Sequence, residues 1–200
     1  SGDKPSNVRQ GVQVVDYRRE ANPRQLLEGL RERENVQVWA EAGAGTELAR
    51  TSVVHPGLDR YQLEPSESLV IWATPPGSED LREALERVSP ERVYLFGIDP
   101  EMDSLKTFLN RFRGLVKQAM ESNARRVNIS ALAAATAQRE ATVRVGLDWL
   151  KAKRRAVDDV ARLTSRVRAL LQETAAYRAY FARADAANIV DIADRSSAES

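Results

Sequence analysis

The chain has 200 residues and a mass of 22.3 kDa, room for one or two domains with a packed core. Hydrophobic residues at 42% and charged ones at 30% exclude a disordered chain, and no apolar run reaches the ~20 residues a membrane helix needs. Zero cysteines and one histidine, His55, exclude disulfides, thiol catalysis, cysteine-held metal and any site needing two imidazoles from one chain.

A cysteine-free chain of this kind is expected in the cytoplasm. Ser1-Gly2, with no initiator methionine, reads as an expression remnant ahead of an excised fragment. The net charge of +1 hides an asymmetry. Residues 1–100 carry 12 basic and 17 acidic side chains, and residues 101–200 carry 18 and 12. Within 106–168 the balance is 15 basic to 5 acidic. Such segregation predicts two units with different surfaces, 1–100 and 101–200, the second able to attract a polyanion.

In chain order, Val12 to Asp16 reads as a strand. Asn22-Pro23 offers a cap followed by proline at the first helical position, and Leu26, Leu27 and Leu30 repeat at helical spacing. Val36 to Ala40 is a second strand and Thr51 to Val54 a short third. Leu69 to Ala73 is almost wholly apolar, as a strand buried on both faces would be. After Pro75-Pro76-Gly77, Ser78 caps a helix with Glu79 and Asp80 in its first turn, where carboxylates complement the dipole. Arg92 to Gly97 is another strand. Strand–helix repeats with short connections predict an α/β fold: a small, mostly parallel sheet with flanking helices and right-handed crossovers.

From Asp99-Pro100 onward the pattern is helical. Leu105, Phe108, Leu109, Phe112, Leu115, Val116 and Met120 fall on one stripe. After a turn at Ser122-Asn123, Ser130 to Ala135 and Arg139 to Lys151 form a helix-turn-helix, with Val143, Leu147 and Leu150 inward. Lys151 to Arg155 fall where a winged-helix unit places its wing. A long C-terminal helix runs from about Thr164 to Asn188, with a seam of Val167, Leu170, Thr174, Tyr177, Phe181 and Ala184. Asp194 to Ser200 is polar and reads as a frayed end.

No set of residues amounts to an active site. Gly43-Ala44-Gly45 could bring backbone N–H groups to a phosphate, but Leu48 stands where a third glycine belongs and no GK[ST] follows. A connecting loop is the better reading. Asp99, Glu101 and Asp103 could hold a hard metal, yet carboxylates ahead of a helix more often cap it. His55 lies in a turn with no serine–acid partners. No cofactor is expected.

The basic stretch from Lys106 to Arg168 is the strongest chemical signal. It reads either as a surface for nucleic-acid phosphates or as a solvated helical face balanced by neighbouring acids. Arg125 and Arg126 ahead of the helix-turn-helix, Arg144 flanking its outward face, and Lys151, Lys153, Arg154 and Arg155 after it are the candidate DNA-contacting residues. The outward Ala141, Val145 and Asp148 are poorly equipped to read base edges, so any contact would follow backbone and shape. Ala141 and Val145 could instead pack on a protein surface.

Several segments resemble the C-terminal domain of the bacterial RecJ family of single-stranded-DNA-specific exonucleases. These are Leu69 to Pro76, the helix Leu81 to Val88, the strand Val93 to Phe96, the Phe-containing helix Leu105 to Met120 and the helical unit Ala131 to Leu150. Val14-Val15-Asp16-Tyr17-Arg18 is similar to the Asp-x-Arg strand that opens that domain. The likeness covers residues 12–155; the helix from Thr164 falls outside it. RecJ nucleases cut with metals held by Asp and His motifs in upstream domains, and this chain has no Asp-His-His. The resemblance therefore implies a non-catalytic accessory region of a nuclease. Its partners would be single-stranded DNA, the upstream nuclease domains, and a helicase or single-strand-binding protein. Two other readings stand beside it: an interaction or homo-oligomerisation module using the C-terminal amphipathic helix, and a small nucleotide-binding domain using Gly43–Gly45.

Overall fold

A computed structural model describes residues 11–42, 57–122, 127–155 and 158–195. Four strands, β1 (Gln13–Asp16), β2 (Val36–Trp39), β3 (Ser68–Ala73) and β4 (Arg92–Ile98), form an all-parallel sheet in the order β1-β4-β3-β2. The expected α/β class with a parallel sheet is what the chain adopts. Thr51–Val54, read as a short strand, lies outside the described residues.

Parallel neighbours need crossover connections, and helices supply those from β1 to β2 and from β3 to β4. Helix α1 (Pro23–Arg33) carries the chain from β1 at one edge to β2 at the other. Alternation along the strands divides the core between the two faces. Val70 and Trp72 of β3 meet Leu27 and Leu30 of α1, with Tyr94 and Phe96 of β4 beside them. Leu69 and Ile71 point the other way and join Leu81, Ala84, Leu85 and Val88 of α2 (Ser78–Val88). All six residues of β3 are buried, which is why that run is continuously apolar. Gly77, rather than Ser78, occupies the cap position of α2.

The helical half comprises α3 (Leu105–Ser122), α4 (Ile129–Thr136), α5 (Glu140–Arg155), α6 (Asp159–Phe181) and α7 (Ala186–Arg195). Asn128 caps α4 by accepting a hydrogen bond from the Ala131 N–H at 3.1 Å. Ala137, in the left-handed region at φ 47°, ends α4, and Gln138-Arg139 leads into α5. Phe108 and Phe112 of α3 pack with Leu132, Ala133, Val143, Val167 and Leu171 in a separate core. Each such ring, fully buried, contributes roughly 1.5–3 kcal/mol. Gly146 permits the close crossing: a Cβ there would stand 2.8 Å from Phe112 Cε1.

Several details differ from the sequence reading. Val143 is buried as expected and Leu147 and Leu150 are partly buried against the same core. The fully buried face of α5 also takes in Thr142, Gly146, Trp149 and Ala152, and Val145, expected to face outward, is partly buried too. Lys151–Arg155, assigned to a wing, form the last turn of α5. The long helix stops at Phe181, and the separate α7 packs Ile189 and Val190 into the core that Leu69 and Ile71 form with α2. Asp194 and Arg195 belong to α7 rather than to a frayed end, and 196–200 lie outside the described residues. The seam on α6 is buried at Leu163, Val167, Leu171, Thr174, Arg178 and Phe181, so this chain's own body covers it.

Arginines join the two halves. Arg18 pairs with Asp16 and donates to the carbonyls of Phe181 and Ala184, holding the α6–α7 corner against β1. Arg60, 4% exposed, pairs with Glu41 just past β2 and Asp80 in the first turn of α2, and reaches the Gln138 carbonyl at 3.4 Å. Arg178, 5% exposed, pairs with Asp103 and donates to the carbonyls of Thr74 and Ala137. These contacts seat the α4–α5 turn on the carboxyl end of the sheet. In open α/β folds that end is where ligand crevices form; here Gln138, Arg60 and Arg178 fill it.

Candidate functional site

The basic stretch resolves into two open grooves on either side of the last turn of α5. The first lies between α3 and α5 and measures about 550 Å³. Arg113 and Lys117 line it from α3, and Lys153 and Arg154 from α5. Residues four apart on a helix share a face, and Arg113 and Lys117 lie opposite the stripe that buries Phe108 and Phe112. Packing the two phenylalanines therefore turns both cations outward. Lys153 is steadied from below, its Nζ sitting 4.9 Å from the ring centre of Trp149. Trp149 is fixed in turn by its indole N–H, which donates to Thr164 Oγ1 at 2.9 Å.

Among the described residues, no carboxylate lines this groove. Among the described residues, Arg113, Lys153 and Arg154 have no ion-pair partner within 4.0 Å. Lys117 approaches Glu121 only at 3.9 Å, both side chains well exposed. Such a pair contributes between 0 and about 1 kcal/mol and yields easily to a competing anion.

The second groove, about 640 Å³, lies between α5 and α6. Arg144, Lys151, Arg155, Arg162 and Arg166 surround a floor of Val145, Leu163 and Leu170. Acids are mixed in here. Arg144 pairs with Glu140 at 2.9 Å, Lys151 with Asp148 at 3.2 Å and Arg162 with Asp159 at 3.0 Å. Glu140 also accepts from Ser130 at 2.7 Å and Tyr61 at 3.2 Å. The Ser130 hydrogen bond is the chief reason its carboxyl lies below the usual range. Burial pushes the Tyr61 hydroxyl up to about 12.

The seven sequence candidates thus separate. Lys153 and Arg154 share the acid-free groove. Arg155 and Lys151 face the other groove, where Lys151 is paired. Arg144 is committed to Glu140. Arg125 and Arg126 lie outside the described residues, as do Gly43–Gly45 and His55. Arg113 and Lys117 join Lys153 and Arg154 from outside that set of seven; the polar stripe Asn110-Arg113-Lys117, opposite Phe108 and Phe112, is their signal in the sequence.

The acidic trio does not converge. Asp99 accepts from the Glu101 N–H at 2.8 Å, while Asp103 turns inward to Arg178 and Gln138. Ser104, not either aspartate, caps α3 by accepting from the Thr107 N–H at 3.1 Å. Among the described residues no group of three or more histidines, cysteines or carboxylates is placed to hold a metal ion, and no helix is long and apolar enough to cross a membrane.

No family model, curated protein or solved structure matches the chain. The reading of function accordingly stands on the side chains themselves.

Proposed function

We propose that this chain is a non-catalytic accessory region that grips the sugar–phosphate backbone of nucleic acid, in keeping with its resemblance to the RecJ C-terminal domain. One observation carries the reading: Arg113, Lys117, Lys153 and Arg154 converge on one groove from two helices with no acid among its lining residues. Among the described residues Arg113, Lys153 and Arg154 have no ion-pair partner and Lys117 only the loose contact with Glu121, so all four stay open to phosphate, whereas tightly paired cations must first give up a carboxylate. Among the described residues, neither groove is lined by an aromatic ring. Binding would then follow charge rather than base identity. In a RecJ-type parent, such a groove would hold the strand while hydrolysis takes place in the upstream nuclease domains.

Fluorescence anisotropy with a labelled oligodeoxythymidylate at low salt tests this. The chain should bind, and replacing Arg113 and Arg154 with glutamate should abolish binding while leaving the circular dichroism spectrum unchanged. Wild-type affinity in that double variant would overturn the assignment.

A further inference from the structure

We infer that the bound strand does not stop in the α3–α5 groove but crosses the last turn of α5 into the α5–α6 groove, where Arg155 and Arg166 take further phosphates. This rests on the backbone-binding reading and extends it to a surface that three helices share.

The geometry of one helical turn makes the crossing short. At 100° per residue, Arg155 projects about 40° to one side of Lys151 on α5 and Arg154 about 60° to the other, with Lys153 about 160° round from it. Arg154 lines the first groove and Arg155 the second, so adjacent residues stand on either side of the crossing. Lys151, exposed and within about 60° of both arginines in projection, stands on the ridge between them and carries positive charge across it.

The cations beyond the ridge are not equivalent. Among the described residues, Arg155 and Arg166 have no carboxylate within 4.0 Å, whereas Lys151 and Arg162 do. Those two ion pairs join residues three apart on exposed helix faces and are of the weak kind that a phosphate displaces. Helix axes pack about 8–10 Å apart, so a path over α3, α5 and α6 spans on the order of 16–20 Å. That is enough for about five phosphates at roughly 3.4 Å per nucleotide, and fewer for a stretched strand. Val145, Leu163 and Leu170 on the groove floor offer contact to sugar carbons but no ring for stacking. The favoured ligand is thus an extended single strand held by its backbone, indifferent to its bases.

The test is the salt dependence of affinity for a labelled 20-nucleotide oligodeoxythymidylate and for an abasic strand of equal length. Four proteins are compared: wild type, R113A/R154A, R155A/R166A and R111A. Arg111 is exposed on α3 and projects about 160° around the helix from Arg113. Each double variant should make the slope of log K against log salt shallower by about 1.4, at roughly 0.7 per lost single-strand contact. R111A should keep the wild-type slope, and the abasic strand should bind within twofold of the thymidylate. A wild-type slope in R155A/R166A beside a shallower one in R113A/R154A would overturn the crossing and leave the first groove standing. Strong preference for the intact bases would overturn backbone-only recognition. Failure of the wild type to bind would overturn the inference and the parent reading together.

Discussion

Arg178, deep in α6, donates to the carbonyl oxygen of Ala137 in the turn between α4 and α5. The same guanidinium pairs with Asp103 and reaches Thr74 at the end of β3. One side chain thus fastens three elements that are far apart in sequence. Burial opposes its charge and draws its pKa below the usual arginine value despite Asp103, while burial pushes the Asp103 carboxyl up despite Arg178. Desolvation therefore outweighs attraction in both partners.

That balance gives an asymmetric expectation. Arg178→Met should lower unfolding free energy by about 3 kcal/mol, because two carbonyls lose this donor and Asp103, left without its counter-charge, keeps only the Gln138 amide. Arg178→Met combined with Asp103→Leu should recover much of that loss, since an apolar pair of similar size avoids the desolvation penalty. Urea denaturation of the two variants measures both effects. A double variant as unstable as the single one would show that the pair itself contributes net stability.

Gly146 sets the spacing of α3 and α5. Alanine there gains about 1 kcal/mol in helix propensity, yet its Cβ would stand 2.8 Å from the Phe112 ring. Overpacking of this kind costs about 1–3 kcal/mol. The expected outcome is a net loss of up to about 2 kcal/mol in chemical denaturation. Weaker oligonucleotide binding should accompany it, because moving α3 displaces Arg113 and Lys117.

Glu34 accepts hydrogen bonds from Tyr94 at 2.8 Å, Ser68 at 2.9 Å and Arg92 at 2.9 Å. The Tyr94 bond, then that from Ser68, holds its carboxyl below the ordinary 4.5. A carboxylate with a depressed folded pKa stabilises the protein above its unfolded value, and that contribution is lost as pH falls through the folded one. Between about pH 5 and pH 3 the wild type should therefore lose more stability than Glu34→Gln. Parallel acid-side declines in thermal melts would exclude this role.

Much of the fold was legible because its signals are local. Continuous apolar runs marked β3 and β4, and the Phe108/Phe112 stripe marked α3, since burial on a fixed face imposes periodicity whatever the partner. The misreadings arose where a distant group decides. Ala184 continues the α6 seam in sequence, but Arg18, held by Asp16, takes the carbonyls of Phe181 and Ala184 and fixes the corner there. Arg178 and Gln138 are polar residues that are buried because Asp103 comes from another element. The candidate site was half legible. The density of positive charge marks the helical half of the chain, and Lys153 and Arg154, both sequence candidates, line the groove between α3 and α5. Arg113 and Lys117 do not flank the helix-turn-helix in sequence; they share the groove through the crossing of α3 and α5 at Gly146.

The most direct measurement is a salt titration of wild-type affinity for an unstructured single strand. Four to six phosphate contacts should make log K fall linearly with log salt, with a slope of about −3 to −4. Absence of binding at low salt, or an affinity that does not change as salt is raised, would contradict a backbone-gripping role for this surface.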